Sequence, residues 1–323
     1  MNKFLLGLLI AGCASVAIGG TVVAVAAITN STNGNGAFAN ANAVTNEHVL
    51  EDSFENIDID VTTAAITINK ATDGVNKVVC VDTEDVYHEV KVENNTLSVK
   101  YKDEREWYEK IGFFNFNKLK VDAYLTEDAY SKLNIDVNTG TVTVDSGFTF
   151  STINAENNTG SIKIKSNVTG DLLVETDTGS IEIENNTADE VKAKTDTGSI
   201  KLTNVTINKC VSLQSDTGSI KLNKVECENI IIENSTGSVT LTDTIASGSI
   251  GITTTTGGIT FEKADAATLN LKASTGSIKG TFLTPKIFSC TSSTGKVTYP
   301  VSTTGGICIA QTSTGAITLS IVG

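Results

Sequence analysis

The sequence predicts an all-β chain whose main body is a parallel β-solenoid, right-handed and β-helix-like, with two strands per turn of 19–20 residues. Three observations carry this. First, a phrase written most clearly at Asp177–Ile183, and repeated from Asp196 and Asp216, places glycine at positions 140, 160, 179, 198, 218, 237, 257, 276 and 295. Second, Thr precedes each of these glycines and also Gly305 and Gly315, while Val or Ile stands two residues after every one. Third, a second apolar pair lies seven and five residues before the next glycine: Leu172 and Val174, Val191 and Ala193, Val211 and Leu213, Ile230 and Ile232, Ile250 and Ile252, Leu269 and Leu271. Alternation of this kind marks strands with one side in a core, and glycine supplies a positive φ at the turn between them. Like residues then stack at roughly 4.8 Å, and about ten rungs make a rod of roughly 50 Å.

From the N-terminus, Lys3 precedes an uncharged apolar run from Phe4 to Ile28, and no further charge appears before Glu47. At 1.5 Å per residue such a run is long enough for a transmembrane helix through the roughly 30 Å hydrocarbon core. The expectation is a membrane anchor or signal segment over 1–29, contacting the membrane through residues 4–28. Lys3 inside places the bulk of the chain outside the cell, single-pass. The rival reading is a lipoprotein signal, because Ile10-Ala11-Gly12-Cys13 resembles a lipobox with Cys13 as the lipidated residue.

Residues 30–46 read as a flexible linker of Asn, Gly, Ser, Thr and Ala. Residues 47–138 are strand-rich but outside the strict period, as a β cap over the open end of a solenoid would be. In this region Phe54, Ile57, Ile59 and Val61 alternate, and Thr63 to Ile68 resembles a degenerate first rung. Val90 and Val92, Asn94-Asn95, and Leu97, Val99 and Tyr101 predict a hairpin with a polar turn. An aromatic insert, Trp107, Tyr108, Phe113, Phe114 and Phe116, interrupts the strands. It is expected to cover the open edge or to contact a partner. Residues 139–323 are the repeat solenoid.

The opening Phe54-Glu55-Asn56-Ile57-Asp58-Ile59, the insert from Trp107 to Phe114, and Leu133 to Gly140 leading into the ladder together resemble the bacterial "putative adhesin" family, domain of unknown function 4097. The likeness covers residues 50–323. It implies an envelope-associated β-strand-repeat protein with a surface role and offers no catalytic motif to transfer.

A formal net charge of -13 argues against a nucleic-acid surface. Six cysteines, at 13, 80, 210, 227, 290 and 308, show no Cys-x-x-Cys spacing and no zinc pattern with His48 or His88. Cys210 and Cys227 fall near equivalent corners of adjacent rungs and are the one candidate disulfide pair. The only Arg is Arg105, so the repeat from Asp136 onward has neither Arg nor His. Asp177, Asp196 and Asp216 stack along one corner; the turn reading, side chains bonded to local backbone, is preferred to a carboxylate pair or a weak calcium site. The threonine column is explained by turn geometry rather than by ice binding.

No catalytic, cofactor or metal residues are assigned. The expected function is a non-enzymatic, membrane-tethered surface protein acting by binding, as adhesin, scaffold or envelope sensor, with an envelope protein or glycan as partner. The alternative is a carbohydrate-active β-helix enzyme acting on cell-wall or extracellular glycan. Finally, Val297 to Gly323 carries no charge, so the last strand is expected to present an uncovered edge for end-to-end self-association.

Overall fold

The structure, a computed structural model, describes the backbone of residues 22–25 and 28–29 and all of residues 43–106 and 119–322. Of the helix expected over residues 4–28, all but 22–25 and 28 lies outside the described residues, as does the aromatic insert from Trp107 to Phe116. The end of the apolar run is described as strand: β1 (Val22–Val25) and β2 (Ile28–Thr29) pair antiparallel with β3 (Val44–Leu50). No described helix is long and apolar enough to cross a membrane.

The described body is a parallel β-solenoid of about ten turns with one continuous core. In the turn from Ile181 to Gly198, the residues expected inside are buried: Ile181, Ile183, Val191 and Ala193. The central turns have three straight runs, however, where the sequence predicts two. Asn185 takes a left-handed conformation (φ 50°) and bends the chain. Asn186 and Ala188 then point inward, and a register shift before Glu190 starts the third run. The same left-handed corner recurs at Asn204, Lys224, Asp243 and Lys263. Asn and Asp tolerate this conformation, which accounts for Asn185, Asn204 and Asp243; Lys224 and Lys263 adopt it at the equivalent corner without that preference. The alternation between 19- and 20-residue periods is absorbed at the register shifts, which recur between Thr206 and Cys210, Cys227 and Asn229, and Ala246 and Ser249.

The glycine corner has a stricter requirement. A Cβ on Gly198 (φ 157°) would lie 1.8 Å from the carbonyl oxygen of Gly179, and the other glycines of the column meet their neighbours in the same way. The close approach lets each glycine N–H bond the next rung, as Gly179 does to the carbonyl of Thr197 at 2.9 Å. The glycine carbonyl in turn accepts from a buried side chain three residues before the next glycine. Asn157 reaches Gly140 at 2.8 Å, Thr195 reaches Gly179 at 3.0 Å, and Asn234 reaches Gly218 at 2.9 Å. A column of inward Asn, Thr and Ser is therefore part of the core, where buried polar groups persist because each has a partner.

At the N-terminal end the order of layers departs from the order of the chain. β4 (Asn56–Thr63) and β5 (Ala65–Lys70) form one rung, followed by β6 (Lys77–Asp82) and the hairpin of β7 (Val86–Glu93) and β8 (Thr96–Asp103). The hairpin turn has Asn94 (φ 51°) and Asn95 (φ 62°), as the Asn-Asn signal predicts. β8 and β9 (Lys120–Leu125) lie on the outer side of β4 and β5; β10 (Ala129–Thr139) and β11 (Val142–Val144) lie on the inner side. Antiparallel β3, β6 and β7 close that end.

The C-terminal end is interleaved as well, and this corrects the expected edge. Strands Gly306–Thr314 and Ile317–Ile321 lie between the rung of Asp265–Thr275 and Ile278–Phe282 and the rung of Lys286–Thr294 and Val297–Thr298. The final strand is thus paired on both sides at Ile317 and Thr318, and most of the open edge belongs to Lys286–Thr298, with Leu319–Ile321 paired on one side. The phase also slips there. Gly305 packs against the carbonyl of Pro285 rather than joining the glycine column. Cys308 and Ala310 consequently point inward, and Ile307, expected inside, is 50% exposed.

Candidate functional site

That slip builds an apolar groove on the outer face of the rod. Ile231, Gly251, Asn270 and Ile309 are register partners on four successive strands. The parallel row two residues earlier is Asn229, Ser249, Thr268 and Ile307. Gly251 contributes no side chain, so the face is hollow at its centre, with a volume of about 450 Å³. Ile231 and Ile307 rise beside it, each about half exposed. Ser249 donates through both its N–H and its hydroxyl to Oδ1 of Asn229, at 3.0 and 2.8 Å, which fixes the polar rim. It is a shallow depression about half open to solvent rather than an enclosed cleft.

Along the earlier rungs the outer face carries a solvated charge ladder. Lys163, Glu182 and Lys201 stack on successive rungs, and Glu182 takes both ammonium groups at 2.7 and 2.8 Å. Those hydrogen bonds, Lys163 first and then Lys201, push the Glu182 carboxyl down to about 2. Mixed signs in register neutralise one another, so this ladder presents no single-sign field to a ligand.

The residues singled out from sequence fare unevenly. Cys13 and the insert residues Trp107, Tyr108, Phe113 and Phe114 lie outside the described residues. Asp177 and Asp216 are exposed and accept no hydrogen bond among the described residues, because the corner backbone is already satisfied from rung to rung. The inward residue one position earlier, Thr176, Thr195 or Ser215, instead donates across the rungs to the glycine carbonyl of the turn before. Cys210 and Cys227 are free thiols. Burial pushes the Cys227 thiol up to about 12. Sequence spacing offered no metal ligands, yet the fold brings Cys80, Asp82 and His88 together at the N-terminal end, far from the groove in chain position.

The groove itself was missed. Its signals are visible in retrospect: an unbroken Ile230-Ile231-Ile232, a glycine at an outward strand position in Ile250-Gly251-Ile252, and the double glycine Gly305-Gly306 that shifts the phase of the last strand. An apolar hollow with a fixed hydroxyl and amide rim can hold the apolar part of a ligand and orient its polar groups. Around it the described residues present no nucleophile–base pair.

Residues 54–277 match the Toastrack DUF4097 family. Three solved structures are similar over most of their length. A "putative adhesin" from Bacteroides fragilis is 17% identical, covering 87% of this chain and 97% of that one, with a TM-score of 0.44. A "putative lipid binding protein" from Parabacteroides distasonis is 15% identical, covering 86% and 97%, with a TM-score of 0.45. A "putative adhesin" from Parabacteroides merdae is 13% identical, covering 86% and 95%, with a TM-score of 0.44. No curated protein matches the chain.

Proposed function

The chain belongs to the DUF4097, or Toastrack, family, and from that premise we propose that it is a non-enzymatic, membrane-tethered β-solenoid of the cell surface that acts by binding. The observation that carries the binding reading is the groove around Gly251. It is the place on the outer face where isoleucine side chains stand about half exposed beside a hollow, and such apolar concavities mark contact sites. The tether reading rests on Lys3 and the uncharged run that follows it, which favour a retained N-terminus and an exported body; because Val22–Val25 and Ile28–Thr29 at the end of that run pair with β3, residues 4–21 are the part left to contact the membrane. The partner is an envelope protein or a glycan that presents an apolar face.

Gly251→Thr tests the binding reading. A Cβ at this position meets only the carbonyl oxygen of Ile230, at 3.9 Å, so the new side chain fits and fills the hollow. Capture of envelope components from extract should fall sharply. The melting temperature should hold or rise, because threonine suits a strand better than glycine by about 0.5–1 kcal/mol. Undiminished capture by this variant would place the contact elsewhere. The tether is tested by external protease on intact cells, which should remove the body; Cys13→Ser should leave it attached, and release into the medium would favour lipidation.

A further inference from the structure

Three strands at the N-terminal end point side chains with metal-binding chemistry at one another. β6 alternates, so that Val78, Cys80 and Asp82 face the interior. β3 lies antiparallel beside it, with Asn46 opposite Cys80 and His48 opposite Val78. His88 comes from β7, whose hairpin partner β8 stacks on β4, whereas β6 pairs with β9. One ligand atom each of Cys80, Asp82 and His88 lies within 4.8 Å of the other two, and all three residues are at most 2% exposed.

Hydrogen bonding in this cluster is lopsided. The Asp82 carboxylate is fully engaged: Oδ1 is 2.6 Å from His88 Nδ1, and Oδ2 accepts from Asn46 Nδ2 at 2.9 Å. Among the described residues, His88 Nε2 is buried and has no hydrogen-bond partner, and His48 Nε2 is buried and unpartnered too. Imidazole held by a carboxylate through one nitrogen, with the other nitrogen left free, is the arrangement of a metal-ligating histidine and its orienting partner. Burial without a partner is otherwise unfavourable for a nitrogen that water could satisfy outside.

A nucleophilic role for Cys80 fails on the same geometry. The thiol is enclosed, and burial together with the nearby carboxylates of Asp82 and Asp122 pushes its pKa well up, away from the thiolate. A divalent cation reverses that balance, since the carboxylates attract it and coordination itself deprotonates the thiol. We propose that Cys80 and His88, together with the Asp82 carboxylate that holds the imidazole and with His48 on the adjoining β3 as a further nitrogen donor, form a structural site for a borderline divalent transition metal such as zinc. Sulfur and imidazole donors together suit zinc over calcium or magnesium. Binding converts the Cys80 thiol to a metal-bound thiolate and releases its proton to solvent. The metal fastens β3 and β6 to β7 across the interior, closing the end of the rod, and burial means that it loads during folding.

Cobalt(II) is the probe, because thiolate coordination gives a charge-transfer absorption that oxygen and nitrogen ligands alone do not. The full chain, unfolded in chelator and refolded metal-free, should take up one equivalent of cobalt with that absorption, and zinc should displace it. Cys80→Ser should abolish the band, while Cys308→Ser, at a buried cysteine far along the rod, should keep it. Zinc should raise the melting temperature of the metal-free protein. A band that survives Cys80→Ser, or no stoichiometric uptake by the refolded wild type, overturns the proposal. Should Cys80→Ser fail to fold, metal analysis of wild-type protein expressed with zinc decides it: about one zinc per chain supports the site and a trace amount refutes it.

Discussion

Gly198 shows how little freedom a corner of this rod allows. With φ at 157° and only 1.8 Å between an added Cβ and the Gly179 carbonyl oxygen, even alanine must push two rungs apart. Gly198→Ala should cost about 2–4 kcal/mol, read as a drop in the denaturant midpoint, whereas glycine at outward position 251 has no such constraint. Charge on the outer face has a smaller effect. The Glu182 carboxyl is held near 2 by Lys163 and Lys201, below its unfolded value, so its stabilisation is present above about pH 4.5 and is lost as pH falls toward 2. Water screens these exposed groups, so the contribution is at most about 1 kcal/mol. The difference in melting temperature between wild type and Glu182→Gln should therefore be small at pH 6, shrink below about pH 4.5 and vanish only below about pH 2.

Among the elements, the closing rung at the C-terminal end depends on a buried ion pair that no repeat position announces. Lys286 is 1% exposed and pairs with Asp265, while Thr284 donates to the same carboxylate through its N–H at 2.6 Å and its hydroxyl at 2.8 Å. Removing one partner strands a buried charge, so Lys286→Met should cost about 3–5 kcal/mol; Lys286→Met with Asp265→Leu should recover much of that loss. A double-mutant cycle on unfolding free energies measures the coupling, and additive effects would refute it. Aromatic side chains reinforce the same end. Phe261, Phe282, Phe288 and Tyr299 follow one another with ring centroids 5.5, 6.1 and 5.6 Å apart.

For the whole molecule, the interleaved ends decide where a second copy can add. Because the strands from 306 to 318 are largely enclosed, the main free backbone edge is Lys286–Thr298, which pairs on one side only among the described residues and carries the exposed Ile287. If copies associate end to end, replacing the outward Ser289 and Thr291 with Lys should abolish it, while Thr318→Lys with Ser320→Lys should not. Sedimentation across a concentration series checks this, and a wild type that stays monomeric throughout counts against association. The sequence by itself determined the solenoid, its period, the two apolar pairs of each turn and the Asn-Asn hairpin, because these depend on residues close in the chain and on periodicity. Only the tertiary structure decided the third run of the central turns, the order of layers at both ends, the outward phase of Ile307 and the meeting of Cys80, Asp82 and His88. Those follow from which strand lies beside which, and a strand moved by one layer or one residue changes its neighbours or its exposed face without altering the local pattern that sequence records.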